Sequence, residues 1–394
     1  MGEYRRTLGS GRLAVLQLDA GQSILLFTAG MGVVLTMNFI QWQRDQALAA
    51  VFRRRLSSPP PEMSSRQPKV SIIVAAWNEA DLLARHIESV LALRYPDKEY
   101  ILCAGGSDAT YEIAHRYEGP GVVVLQQQQG EGKQRALRQC FERASGEIIF
   151  FTDSDCLLDD DSFERIVVPL ADGEAEAATG FARPLPEQVK TSLLAAYRWA
   201  ATLYNAAMQP KFVSGLLGRN AAVLRTTVEG AGALREDVPT GTDYYLAKMI
   251  LRNGARILHV PESIVQSRYA VGLSHYARQQ HRWLRNSVLL GRRFGASEDV
   301  RASLTASFLG LAMIVGPIVA WFVFPPALLL WLLAVIHSAL SKARYFAFAA
   351  LTGSLPGDRA AVGCLWAIPL TLFECYVWAS VLLDYPFKER RQVW

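Results

Sequence analysis

Residues 24–42 run for 19 positions without a charged side chain, close to the roughly 20 that a helix needs to cross a bilayer. The pattern returns near the other end, where 303–324, 325–340 and 361–383 are again apolar, the first two meeting at Pro325-Pro326. A chain bracketed in this way has to fold as a water-exposed body carried on membrane helices. A cleaved leader is the rival reading of the first run, because Ala47-Leu48-Ala49 has the spacing of a cleavage site. Arg44 and Asp45 interrupt the approach to it, so an uncleaved anchor is expected within residues 1–60, ending in the breaker-rich linker Ser57-Ser58-Pro59-Pro60-Pro61. Glu374 falls inside the last run. A carboxylate at that depth costs about 2.5–3.5 kcal/mol on insertion scales, so it has to face a partner, line an acceptor site or sit near the interface.

Composition agrees with a soluble domain plus a few spans: 51% of the 394 residues are hydrophobic and the net charge is only +5. Arginines cluster beside the apolar runs (Arg53-Arg54-Arg55, Arg292-Arg293, Arg390-Arg391 in a basic tail, 384–394). They read as contacts to a membrane surface, not as a nucleic-acid footprint. The five cysteines have no C-x-x-C spacing and fit a reducing compartment; the six histidines form no metal-binding motif.

From Lys69 the pattern changes. Continuous apolar runs at 70–74, 100–103, 122–125 and 147–151 alternate with helical stretches near 79–93, 111–117 and 132–144. Strand–helix alternation of this kind predicts right-handed crossovers and a mostly parallel sheet. Ligands in such sheets bind beyond the carboxyl ends of the strands, which is where Asp153-Ser154-Asp155 lies. Lys133, in Gly132-Lys133-Gln134-Arg135-Ala136-Leu137, stands at a helix start, where amides and a cation together favour phosphate; the spacing is not that of a P-loop. Asp243 heads a helix that ends at Asn253-Gly254, and a simple N-cap is its bland reading. Gln279, Arg282 and Trp283 are spaced i, i+3, i+4 and share one helical face, and an amide, a guanidinium and an indole together suit a sugar. The helix from Tyr276 to Leu290 is amphipathic and is expected at the membrane surface.

D-x-D, a lone downstream acid and Q-x-x-R-W, in that order, resemble the family-2 glycosyltransferases. The likeness is to their membrane-embedded branch of cellulose, chitin and hyaluronan synthases and ceramide glucosyltransferases. The resemblance covers roughly 70–290, with a catalytic domain at 69–290 and membrane segments at 303–383. It implies an α/β, nucleotide-sugar-binding (GT-A-like) fold. It also implies that Asp155 holds Mg²⁺ or Mn²⁺, that Asp153 touches the ribose or diphosphate, and that Asp243 is the base. Arg282 would then steady the leaving diphosphate and Trp283 would stack on the acceptor, with Gln279 counted among the catalytic residues. Ala75-Ala76-Trp77-Asn78-Glu79 matches the loop against the nucleotide base, giving Ala75, Asn78 and Glu79 as donor-side residues.

Two departures stand out. The usual acidic loop is Ala104-Gly105-Gly106-Ser107-Asp108, leaving Asp108 as its acid, and the acid before the base is replaced in Gly241-Thr242-Asp243. Asn205, Arg219 and Asn220 are polar positions that could serve the acceptor, but no motif assigns them.

These readings predict an inverting, metal-dependent hexosyl transfer from a nucleotide-sugar, with UDP as the expected carrier, to a membrane lipid. A processive polysaccharide synthase and a non-catalytic nucleotide-sugar-binding subunit are the alternatives. Sugar nucleotides are cytosolic, so the domain is expected on the cytoplasmic face of the plasma (inner) membrane. The positive-inside signal is weak, because Arg5, Arg6 and Arg12 precede the first span while Arg44 and Arg53–55 follow it. Three full C-terminal spans would place Lys388, Arg390 and Arg391 outside, against that rule.

Overall fold

The computed structural model describes residues 19–61, 66–236, 238 and 240–384; the basic tail and Arg5, Arg6 and Arg12 lie outside the described residues. The elements in chain order are α1 (Ala20–Leu56), β1 (Val70–Trp77), α2 (Ala80–Leu91), β2 (Lys98–Gly105), α3 (Thr110–His115) and β3 (Val122–Gln126). Next come α4 (Gly132–Arg143), β4 (Ile148–Phe151), β5 (Cys156–Leu157), α5 (Asp160–Ala171), β6 (Ala177–Pro184), α6 (Pro186–Thr191), α7 (Leu193–Met208) and β7 (Phe212–Val213). They are followed by β8 (Ala221–Leu224), α8 (Arg225–Gly230), α9 (Thr242–Arg252), β9 (Ile257–Ser267), α10 (Leu273–Arg293), α11 (Ser297–Val323), α12 (Ala327–Leu351), α13 (Gly357–Leu365) and α14 (Ala367–Ser380).

The strands form one sheet in the order β3-β2-β1-β4-β8-β6-β9-β5, with β7 also paired to β9. Across β3-β2-β1-β4 the sheet is parallel, as the alternation predicts. Beyond β4 it is mixed: β8 runs antiparallel to both β4 and β6, whereas β6 and β9 are parallel.

Side-chain alternation explains why the runs read as continuous apolar. Ile72, Val74, Tyr100, Leu102 and Phe150 point to the face covered by α2 and α5, against Leu83, Ile87, Phe163 and Ile166. Ile73, Ile101, Ile149 and Phe151 point to the other face, against Leu137 and Phe141 of α4 and Leu246 and Ile250 of α9.

A further core joins this body to the remaining helices, with Ala49 and Phe52 of α1, Trp199 and Leu203 of α7 and Phe346 and Phe348 of α12. Four helical segments are long and apolar enough to cross a membrane: Ala20–Leu56, Ser297–Val323, Ala327–Leu351 and Ala367–Asp384. They leave large apolar side chains exposed, such as Ile24, Phe39, Ile318 and Phe322, a belt of the kind that marks a membrane-contacting surface.

Two expected boundaries shift. The segment expected at 325–340 continues to Leu351 through Lys342 and Arg344. Charge at those positions reads as a helix leaving the membrane, but both cations are matched internally. Arg344 Nε lies 2.8 Å from the buried Asp45 of α1, which also accepts from Tyr204 Oη at 3.0 Å. Lys342 Nζ lies 3.0 Å from Glu374 of α14. The segment expected at 361–383 is broken at Trp366 into α13 and α14. Pro369 supplies the reason: it has no N–H to bond back one turn and disfavours helical geometry just before it.

Glu374 therefore faces a partner. Its Oε1 accepts from Tyr276 Oη of α10 and its Oε2 from Tyr197 Oη of α7, both at 2.8 Å, while Lys342 neutralises it. All four side chains are buried. Breaking one member of a buried pair strands the other charge, at a cost of about 3–5 kcal/mol. Lys342→Met is expected to lower the thermal midpoint of the detergent-solubilised protein sharply. Lys342→Met with Glu374→Gln should recover most of that loss, as a midpoint series on the three proteins would read out.

Candidate active site

The carboxyl ends of β1 and β4 open into a cavity of about 750 Å³. Ala75, Glu79, Lys133, Asp153 and Asp155 line one part of it, and Asp243, Gln279, Arg282 and Trp283 line another. Nine of the eleven residues singled out in the sequence thus converge from five separate segments.

On the β4 side, Lys133 of α4 is ion-paired to Asp153. Arg219, in the loop before β8, comes within 3.8 Å of the other Asp153 oxygen. Its guanidinium also donates to Ser267 Oγ at 2.8 Å, and that hydroxyl donates in turn to Asp155 Oδ1 at 3.3 Å. Burial pushes the Asp153 carboxyl up, but Lys133 and Arg219 outweigh it and hold the group below its usual range. Asp155 goes the other way: burial, aided by the charge on Asp153, raises it despite Arg219. Glu79 is raised to about 7, first by burial and then by Asp155.

Asn78 and Asp108 lie outside the cavity lining, because turn geometry consumes both side chains. Asn78 Oδ1 accepts from Ser107 N at 2.7 Å. Asp108 accepts from Thr110 N at 3.0 Å and Ala80 N at 3.2 Å. Their effect is indirect: the turn presents Thr110 Oγ1 as the acceptor for Glu79 N at 2.7 Å, which holds Glu79 at the cavity wall.

Asp243 is not the N-cap of α9. That position belongs to Gly241, at φ 72°, a left-handed geometry that glycine adopts without strain. A Cβ there would stand 2.5 Å from Leu290 Cδ1 of α10. Asn286 of α10 donates to Thr240 Oγ1 at 2.9 Å, so α10 grips the turn that aims Asp243. The carboxylate accepts only the N–H of Tyr244 at 2.9 Å among the described residues, leaving its second oxygen free toward the cavity. One turn away on α10, burial pulls Arg282 down while the charge of Asp243 pulls it up.

Trp283 is covered on one ring face by the Arg198 guanidinium, 4.8 Å from the ring centroid. Of the three unassigned polar positions, Arg219 sits beside the D-x-D and not with the acceptor-side residues. Asn220 is buried and donates to Phe181 O and Ser263 O, both at 3.1 Å, and Asn205 is exposed on α7. No sequence signal pointed to Arg198.

The residues fit a divalent cation held jointly with substrate. Among the described residues no group of three or more His, Cys, Asp or Glu forms a metal site by itself. Asp155 and Glu79 nevertheless carry more negative charge than their neighbours cancel. Glu79 Oε2 is buried without a hydrogen bond, with Arg268 3.8 Å away. Mg²⁺ commonly takes one or two carboxylates and completes its shell with substrate phosphates and water.

Behind the D-x-D, the buried His86 of α2 holds the backbone: its Nδ1 donates to Cys156 O at 2.6 Å. Burial lowers His86 to about 4, against upward pulls from that bond and from the charge of Asp153. Its folded pKa is thus below its unfolded value of about 6.5, and the unfolded state binds the extra proton between them. Stability is then present above pH 6.5 and falls as pH drops toward 4. Thermal midpoints between pH 7 and 4.5 should show a steeper decline for wild type than for His86→Gln, which cannot titrate.

Two family models match the sequence: Glycosyl transferase family 2 over residues 71–206, and Glycosyl transferase family group 2 over 148–373. An "N-acetylglucosaminyltransferase" of Mesorhizobium japonicum is 26% identical over 59% of this chain. The alignment takes in 58% of that relative, less than two thirds of its length. A "Poly-beta-1,6-N-acetyl-D-glucosamine synthase" of Staphylococcus epidermidis is 33% identical over 24% of this chain and 23% of its own. The solved mannosyltransferase PcManGT from Pyrobaculum calidifontis, in complex with GDP-Man and Mn²⁺, shares the fold. Its TM-score is 0.50 at 19% identity, covering 93% of this chain and all of that one. That likeness agrees with the GT-A-like body expected from the sequence, and with the second model spanning over half its length, the chain belongs to the family-2 glycosyltransferases.

Proposed function

We propose that the protein is an inverting glycosyltransferase that moves one sugar from a UDP-sugar to a membrane lipid, with its catalytic domain on the cytoplasmic face of the plasma (inner) membrane. The observation that carries this reading is one cavity lined both by the D-x-D, with Asp153 matched by Lys133 and Arg219, and by Asp243, Arg282 and Trp283. The free oxygen of Asp243 accepts the proton of the acceptor hydroxyl. The hydroxyl oxygen bonds to the anomeric carbon as the bond from that carbon to the diphosphate breaks. Attack comes from the side opposite the leaving group, so the anomeric configuration inverts.

The departing diphosphate needs positive charge, and Lys133, Arg219 and Arg282 provide it from fixed positions, which avoids reorganisation during the reaction. A divalent cation at Asp155 would add Lewis-acid stabilisation of the same leaving group. Gln279 and Trp283 orient the acceptor. The names of the rhizobial and staphylococcal relatives favour an N-acetylglucosamine donor over a plain hexose. The lipid acceptor is supported by α10, which carries Gln279, Arg282 and Trp283 and is bonded through Tyr276 to α14, one of the candidate spans.

A processive synthase is the second reading, favoured by the synthase named among the relatives. The non-catalytic alternative loses ground, because the base, the cations and the D-x-D all face one cavity.

The test is transfer from radiolabelled UDP-sugars by detergent-purified protein, with lipid extract and Mg²⁺ or Mn²⁺. Label in a chloroform-soluble product, lost with EDTA, is expected; label in a high-mass polymer would replace this reading with the synthase. Asp243→Asn should cut turnover by about 10²–10⁴-fold while UDP binding, followed by calorimetry, stays intact.

A further inference from the structure

The cavity cations divide by partner. Lys133 and Arg219 serve Asp153, Arg268 lies 3.8 Å from Glu79, Lys248 lies 2.9 Å from Asp299, and Arg282 feels Asp243. Arg198 of α7 makes no ion pair among the described residues. It is half-buried, lines the cavity and lies over the ring of Trp283, 4.8 Å from its centroid. Stacking of this kind holds a guanidinium in place and leaves its N–H edge available for an anion.

Arg198 is carried by α7, whose Trp199 and Leu203 pack against Phe346 and Phe348 of α12. The neighbouring Tyr197 of α7 shares Glu374 of α14 with Tyr276 of α10. Arg198 is thus carried on a helix that packs against the candidate membrane helices. The rim there is suited to lipid: His275 lines the cavity, and its near neighbours Val271 and Leu273 are 51% and 59% exposed.

We propose that Arg198 receives an acidic group of the acceptor, so that the substrate is a lipid carrying both a free hydroxyl and a neighbouring phosphate. This rests on the lipid-transfer reading above. The acid is not the nucleophile: a phosphate oxygen needs no base, whereas the free oxygen of Asp243 is placed to take a hydroxyl proton. A charge-assisted bond to a partly desolvated guanidinium is about twice as strong as a neutral one, so the pair selects anionic over neutral headgroups.

The experiment uses the full-length protein in nanodiscs with the UDP-sugar found active, and either phosphatidylglycerol or diacylglycerol as the acceptor. Phosphatidylglycerol should be the better acceptor by about tenfold or more in kcat/KM. Arg198→Ala should raise its acceptor KM about tenfold, with the donor KM moving less than twofold, and Arg198→Lys should recover part of the loss. Equal use of diacylglycerol, or an Arg198→Ala defect confined to the donor KM, would overturn the inference while leaving lipid transfer standing. Label appearing only in a water-soluble polymer would remove lipid transfer itself, and the inference with it.

Discussion

A single carboxylate fixes where the active site stands relative to the membrane helices. Glu374 is held by α7 and α10 through tyrosine hydroxyls and by α12 through a lysine. Both of its oxygens are satisfied, which is the condition under which a buried charge is tolerated. Tyr276 lies three residues before Gln279 and seven before Trp283 on α10, so bonding that tyrosine sets the rotation of the whole face that meets the cavity. α10 also grips Thr240, and the orientation of Asp243 follows from the same packing. The reactive end of the site is in this sense built outward from helices of the candidate membrane region.

The donor end rests on the opposite economy of charge. Three acids gather at the neighbouring ends of β1 and β4, and only Asp153 is fully matched, by Lys133 and Arg219. Asp155 and Glu79 stay under-compensated, which raises their proton affinity. Arg219 thus has two neighbours to serve, Asp153 directly and Asp155 through Ser267. A small side chain at that position would leave both acids less screened.

Legibility in the sequence followed the physics of each element. β1 to β4 were readable because a strand covered on both faces is apolar at every position. β5 and β7, two residues each, are too short to carry a period, and β8 adds only four. α12 was read short because Lys342 and Arg344 look like the end of a span, and their partners, Glu374 and Asp45, are 32 and 299 residues distant in sequence. The cavity residues were readable where type and spacing encode chemistry, as in Asp153-Ser154-Asp155 and Gln279-x-x-Arg282-Trp283. Asn78 and Asp108 were drawn into the site by motif position, yet their side chains close a turn. Arg219 and Arg198 belong to no spacing pattern, and only folding brings them to the D-x-D and to Trp283.

The stacking of Arg198 on Trp283 bears on how many sugars the site can hold. A site that elongates a glycan has to pass each new residue over its aromatic platform and out the far side. Here one face of the indole is already taken by a guanidinium. A flat headgroup resting on the remaining face, its acid against Arg198, needs no exit beyond the platform. Under the proposed lipid transfer, the arrangement suits a substrate that arrives laterally, accepts one sugar and leaves by the route it came.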